Sequence, residues 1–245
     1  MMKYMLFLVL FLSWCSMTTP VLAPTPSNSP HILSTALQIT NNDLYVTQLE
    51  PMVSYYKDFV GMDVISLTDD RADMGNNGKT LLSLIKDTNA AATNLRGAGL
   101  YHIAYLFQDQ ASLASRVARI LQYKSDSFEW SSDHSVSEAF YFHDPENNGI
   151  ELYFDRDPAT RVWNNGTIEM GSTYIDPIAY IQTHTQSWSN AFHIGHNHLQ
   201  VGDMTQADPW LWYHWGYVSK RSVVRQCRWL PPSFWAQCLE QQRSR

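Results

Sequence analysis

Glu151 is a carboxylate inside a short run of otherwise apolar and aromatic residues, 150–154. An unpaired charge in such a run is costly to bury, so Glu151 either faces solvent from a strand or meets a cation. Several histidines stand within reach of that role. His102 lies near the start of the strand-like run 97–109; the plain alternative is a core imidazole bonded to a backbone carbonyl. His134 follows Asp133 and suits proton exchange near neutral pH, unless Asp133 merely turns the chain and His134 packs at a strand entrance. His193, His196 and His198 alternate along a third stretch, which puts His196 and His198 on one face of a strand. His143 and His184 read as surface or loop residues.

These residues need strands to hold them. Around Glu151 the pattern is a hairpin: a strand over 137–143, with Ala139, Tyr141 and His143 on one face and Phe140 and Phe142 on the other, a turn over 144–149, and a second strand over 150–154. After the His102 strand, Leu113, Val117, Ile120 and Leu121 recur at helical spacing. An internal repeat is also visible: His102 is followed by Tyr105, Phe107 and Asp109, and His196 by Leu199, Val201 and Asp203. A third start is Asn41, with Leu44, Val46 and Gln48, running into a helix-like segment over 51–60 that Gly61 closes. The expected later strands of that first unit are 62–67 and 80–85, with a turn at Asn76-Asn77-Gly78 between them. Three starts imply three modules.

Strand, helix and hairpin, with histidine on the first strand and glutamate on the last, resemble one βαβββ module of the vicinal oxygen chelate superfamily. The motifs GLYHIA, SDHSVSEAFYFHDPENNGIELY, WNNG and GHNHLQVGD look like its two-domain extradiol catechol dioxygenase branch, over roughly residues 43–204. The resemblance implies an α+β fold of paired βαβββ modules forming a curved half-barrel over 35–160, a connection over 161–190 and an incomplete second such domain over 191–245. It also implies Fe(II), or another divalent metal such as Zn, Ni or Mn, held by two histidines and a carboxylate, and a small catechol-like aromatic substrate. His102 and Glu151 fill two ligand positions of the first pair, whereas the matching position of the first module is Asn41, a poor ligand. His196 matches the first ligand of a second, separate site whose other ligands would lie further downstream. His134 is the candidate catalytic acid or base. Two other readings are a glyoxalase-like isomerase or lyase, and a non-catalytic cleft for an aromatic ligand, lined by Tyr45, Tyr101, Phe140 and Trp130.

The flanks differ from this body. Lys3, an apolar run over 5–14 and Val21-Leu22-Ala23 read as a secretory signal peptide over 1–23, followed by a proline-rich linker over 24–34. This implies a secreted protein without a stable membrane anchor after cleavage, in which Asn165 of Asn165-Gly166-Thr167 is a glycosylation acceptor. Cys15 would leave with the signal, so only Cys227 and Cys238 remain, and stability must come from an ordinary core. The net charge of −6 divides unevenly: from Tyr217 onward six basic residues face the single acid Glu240. Five of the nine tryptophans (Trp210, Trp212, Trp215, Trp229, Trp235) fall in the last 36 residues. The acidic body argues against nucleic acid as a partner, and no Gly-rich phosphate loop, Gly-x-Ser-x-Gly elbow or Cys-x-x-Cys pair is present. An unfinished second domain should leave the apolar face of the 194–201 strand exposed, favouring a homo-oligomer.

Overall fold

Two sheets built on the same plan carry the candidate residues. The structure, a computed structural model, describes residues 39–94, 97–164, 167–184, 189–203, 207 and 224–226. The expected signal peptide, the linker, Asn165, both late cysteines and the five tail tryptophans lie outside the described residues. Among the described residues, no helix is long and apolar enough to cross a membrane.

The first module is β1 (Asn42–Val46), α1 (Leu49–Tyr55), β2 (Asp63–Leu67), β3 (Arg71–Asn76) and β4 (Lys79–Lys86), with strand order β1-β4-β3-β2. The helix begins two residues before the expected position and runs into a π-helical turn, Tyr56–Val60. Gly61 ends it at φ 87°, in the left-handed region that glycine enters without a Cβ penalty. The start of α1 has no side-chain cap from its own N-cap residue. The Glu146 carboxylate, from the hairpin turn of the second module, accepts the Thr47 and Gln48 amides there at 2.8 Å each. It thus ties the two residues that lead into the helix to the second module's turn.

The second module repeats the order: β5 (Gly99–Phe107), α2 (Gln110–Tyr123), β6 (Phe128–Asp133), β7 (Ser137–His143) and β8 (Gly149–Asp155), arranged β5-β8-β7-β6. Asp109 caps α2 by accepting the Ser112 amide at 2.7 Å. Leu113, Val117 and Ile120 of α2 are buried against Phe140, Phe142, Ile150 and Leu152 of the sheet. The hairpin and its turn lie where their alternation and turn residues place them. Asp144 organises the turn by accepting the Glu146 and Asn148 amides and the Tyr56 hydroxyl.

A short ribbon of β9 (Trp163–Asn164) and β10 (Thr167–Ile168) and the helix α3 (Pro177–His184) lead to β11 (Phe192–Val201). β11 pairs antiparallel with β5 and extends the second module's sheet; β12 (Val224–Gln226) pairs parallel with β11. The expectation of an exposed apolar face on this strand is therefore corrected. Phe192 and Ile194 are buried, and the Phe192 ring meets Tyr105 edge to face and lies tilted against Phe107. The described residues all belong to one compact unit, His31–Arg245.

Candidate metal centre

The sheet register brings the chemistry together. In the parallel pairing of β5 with β8, Ala104 lies opposite Glu151, and in the antiparallel pairing with β11 it lies opposite His196. Tyr141 of β7 continues the row on the far side of Glu151. The row therefore reads His196, Ala104, Glu151, Tyr141 across four strands. Ala104 is fully buried, and its methyl group leaves the space over which its neighbours lean together. His102, two residues before Ala104, projects from the same face of β5.

The outcome is a cluster of two imidazoles and one carboxylate. His102 Nε2 stands 2.7 Å and His196 Nε2 3.2 Å from the same oxygen, Glu151 Oε2. One potential ligand atom from each residue lies within 4.8 Å of the others. His102 and Glu151 are only 4% and 3% exposed, and His196 is half-buried. Burial alone would raise the Glu151 carboxyl, but the His196 and His102 imidazoles outweigh it and hold the group well below the usual carboxylate range. Two nitrogens converging on a buried carboxylate oxygen form a donor set suited to a divalent transition metal. β11 brings His196 to the cluster that His102 and Glu151 begin, where the sequence reading set it apart from them.

His134 lies beside this cluster and is nearly buried. Its Nδ1 meets the Gly171 carbonyl at 2.9 Å and its Nε2 the Tyr141 hydroxyl at 2.9 Å. A carbonyl only accepts, so Nδ1 carries a proton, and in that tautomer Nε2 can accept from the Tyr141 hydroxyl. Tyr141 thereby links the row of candidate ligands to a proton acceptor. Its ring lies 5.5 Å from that of His102. The loop holding His134 is built from three contacts. Ser135 takes φ 67° and donates its amide to Asp133; Asp133 exchanges backbone hydrogen bonds with Thr173; Arg156 binds Asp133 through both terminal nitrogens. Arg156 also donates to Glu138, which in turn accepts from Gln110 and the Tyr180 hydroxyl.

Tyr141 was visible on the correct face of its strand, but nothing local pointed to its hydroxyl bond with His134. Gly171 carries no local signal, because its carbonyl matters only through the fold. Of the expected cleft residues, Tyr101 lies against His102 and His198. Phe140 does not line a cleft: it is fully buried on the helix side, 4.8 Å from Tyr180. Tyr45 and Trp130 are exposed. His198 is buried opposite His102, their rings 4.7 Å apart. His143 approaches Glu129 at 3.4 Å, and His184 packs on Tyr180.

No family model matches the chain. A catechol-2,3-dioxygenase of Bacillus subtilis (strain 168) is 32% identical over 173 residues, covering 67% of this chain and 59% of the relative. The chain thus spans about three fifths of that relative's length. Among solved structures, the cppA protein of Streptococcus pneumoniae TIGR4 aligns with a TM-score of 0.44 at 14% identity, covering 66% of this chain and 61% of that one. A glyoxalase/bleomycin resistance protein/dioxygenase from Alicyclobacillus acidocaldarius aligns with a TM-score of 0.41 at 16% identity, covering 50% and 95%.

Proposed function

Because the chain belongs to the vicinal oxygen chelate superfamily, we propose that it is an extradiol, ring-cleaving dioxygenase acting on a catechol-like aromatic, with Fe(II) held by His102, Glu151 and His196. The observation that carries this reading is the convergence of two imidazole nitrogens on one buried carboxylate oxygen. The similarity to a catechol-2,3-dioxygenase supplies the substrate class.

Bound there, divalent iron would supply the Lewis-acid and redox chemistry that ring cleavage of a catecholate by O2 requires. The remaining tasks fall to the chain. Glu151 would offer the metal its carboxylate oxygen, which both imidazole nitrogens already approach. Tyr141 and His134 form the proton path: a substrate hydroxyl placed beside Tyr141 passes its proton to that hydroxyl, whose own proton moves to His134 Nε2. The Gly171 carbonyl holds the imidazole in the accepting tautomer and stabilises the imidazolium that results.

The test is the metal content of anaerobically purified protein together with oxygen uptake on simple catechols. One equivalent of iron with uptake is expected, and both should vanish in His196→Ala. Protein free of iron after anaerobic reconstitution, or uptake that survives His196→Ala, overturns the reading.

A further inference from the structure

Gly195 precedes His196 at an irregularity in the strand. Ile194 pairs with Tyr105 and His196 with Ala104, so Gly195 is the extra residue of a β-bulge between β11 and β5. A Cβ built at Gly195 would lie 1.9 Å from the Tyr153 hydroxyl oxygen and 2.7 Å from the ring carbon that bears it. The absent side chain is therefore the space that Tyr153 occupies. Tyr153 is buried, two residues beyond Glu151 on the same face of β8. Its hydroxyl lies 3.4 Å from His196 Nδ1, and the two rings meet nearly edge to face at 5.1 Å. The opposite nitrogen, Nε2, is the one that faces Glu151.

From this geometry we infer that Tyr153 is a positioning residue for His196: its hydroxyl accepts the Nδ1 proton, fixing the tautomer that leaves the Nε2 lone pair directed at the cluster. The inference rests on the metal-site reading above. Strand β8 then supplies both a ligand, Glu151, and the group that orients a ligand on another strand. The Gly-His pair in β11 acquires a physical reason: glycine admits the hydroxyl and the bulge turns the following histidine inward. An imidazole held through its second nitrogen keeps its ring orientation and gains basicity, and loss of such a partner typically weakens metal binding about 10–100-fold.

The experiment is Co(II) titration of the full chain, following affinity and the visible absorption of the bound ion, in wild type, Tyr153→Phe and His196→Ala. Tyr153→Phe keeps the ring that packs on Gly195 and removes only the hydroxyl. The expected result is one Co(II) in wild type, none in His196→Ala, and about 10–100-fold weaker binding with an altered spectrum in Tyr153→Phe. Its metal-free unfolding midpoint should match wild type, which separates orientation from stability. Wild-type affinity and spectrum in Tyr153→Phe, with binding lost in His196→Ala, overturn the inference alone. Absence of Co(II) binding in wild type, or unchanged binding in His196→Ala, overturns the metal-site reading and the inference together.

Discussion

The two modules share one strand order but, among the described residues, only the second, joined by β11, carries a candidate metal centre. In the second module Ala104 lies opposite Glu151 and His102 stands two residues earlier; in the first, Asp43 lies opposite Ser83 and Asn41 stands two residues earlier. Asn41 and Ser83 thus hold the places of His102 and Glu151, and their side chains meet at 3.3 Å. Ser83 is fully buried, donates to Asp73 at 2.8 Å and accepts from Arg71 at 2.8 Å. Hydrogen bonds from Ser83 and Ser66 hold the Asp73 carboxyl below its ordinary value. The first module therefore closes its polar groups on one another, whereas the second aims them at a common point. The second difference lies at the sheet edge. β5 is flanked by β11, which brings His196, while among the described residues β1 pairs with β4 alone. A ligand pair on one module becomes a three-ligand site only when a strand from a third module lies beside it.

The largest effect should come from Glu151→Gln. It removes the charge on which both imidazoles converge, and bound metal should fall by at least about tenfold, read by elemental analysis of protein whose circular dichroism is unchanged. Undiminished metal content would remove Glu151 from the site. Transplanting the ligands tests the comparison from the other side. The double variant Asn41→His, Ser83→Glu should bind no second equivalent of metal, since β1 has no counterpart of His196. It should also unfold more easily, by about 3 kcal/mol, because a new carboxylate is buried beside Asp73. A second bound equivalent would show that the edge strand is dispensable.

His134→Gln should retain metal and lose turnover about 10²-fold or more, the range expected for a missing acid-base group. Unchanged turnover on catechols would confine His134 to a structural part. The smallest effect is expected from Arg156→Ala, which leaves the nearly buried Glu138 and the Asp133 turn without their cation. A loss of about 2 kcal/mol in chemical denaturation near neutral pH follows. The difference has a definite pH sign. Burial would raise the Asp133 carboxyl, but Arg156 more than offsets this and holds it below its ordinary value. Its stabilising contribution is therefore present above the unfolded-state value and is lost as pH falls through the lower folded-state one. The gap between wild type and Arg156→Ala should narrow below about pH 4; a gap that stays constant would mean that Asp133 is not the partner that matters.

Much of the second module was legible because its signals are local. The alternation of 137–143 and the turn residues of 144–149 fix the hairpin, the helical spacing of Leu113, Val117 and Ile120 fixes α2, and the isolated charge of Glu151 announces a partner. The first helix was less legible: its start depends on Glu146 from another module, and its end departs into a π-helical turn. The apolar alternation of β11 was readable as a strand, but its neighbour was not. Phe140 shows the same division, since alternation placed it opposite Tyr141 without telling which face meets the helices.

The sequence by itself determined the repeated βαβββ units, the candidate ligand types at His102, Glu151 and His196, and the asparagine that stands at the matching place, Asn41, in the first module. Only the tertiary structure decided that these three residues form one site. Backbone hydrogen bonds between strands carry no record of sequence distance, so local pattern can specify β5 and β11 without specifying that they pair. Their pairing sets His196 opposite Ala104, next to Glu151. Complementary packing over long separations made that choice: Phe192 against Tyr105 and Phe107, and Tyr153 in the space left by Gly195.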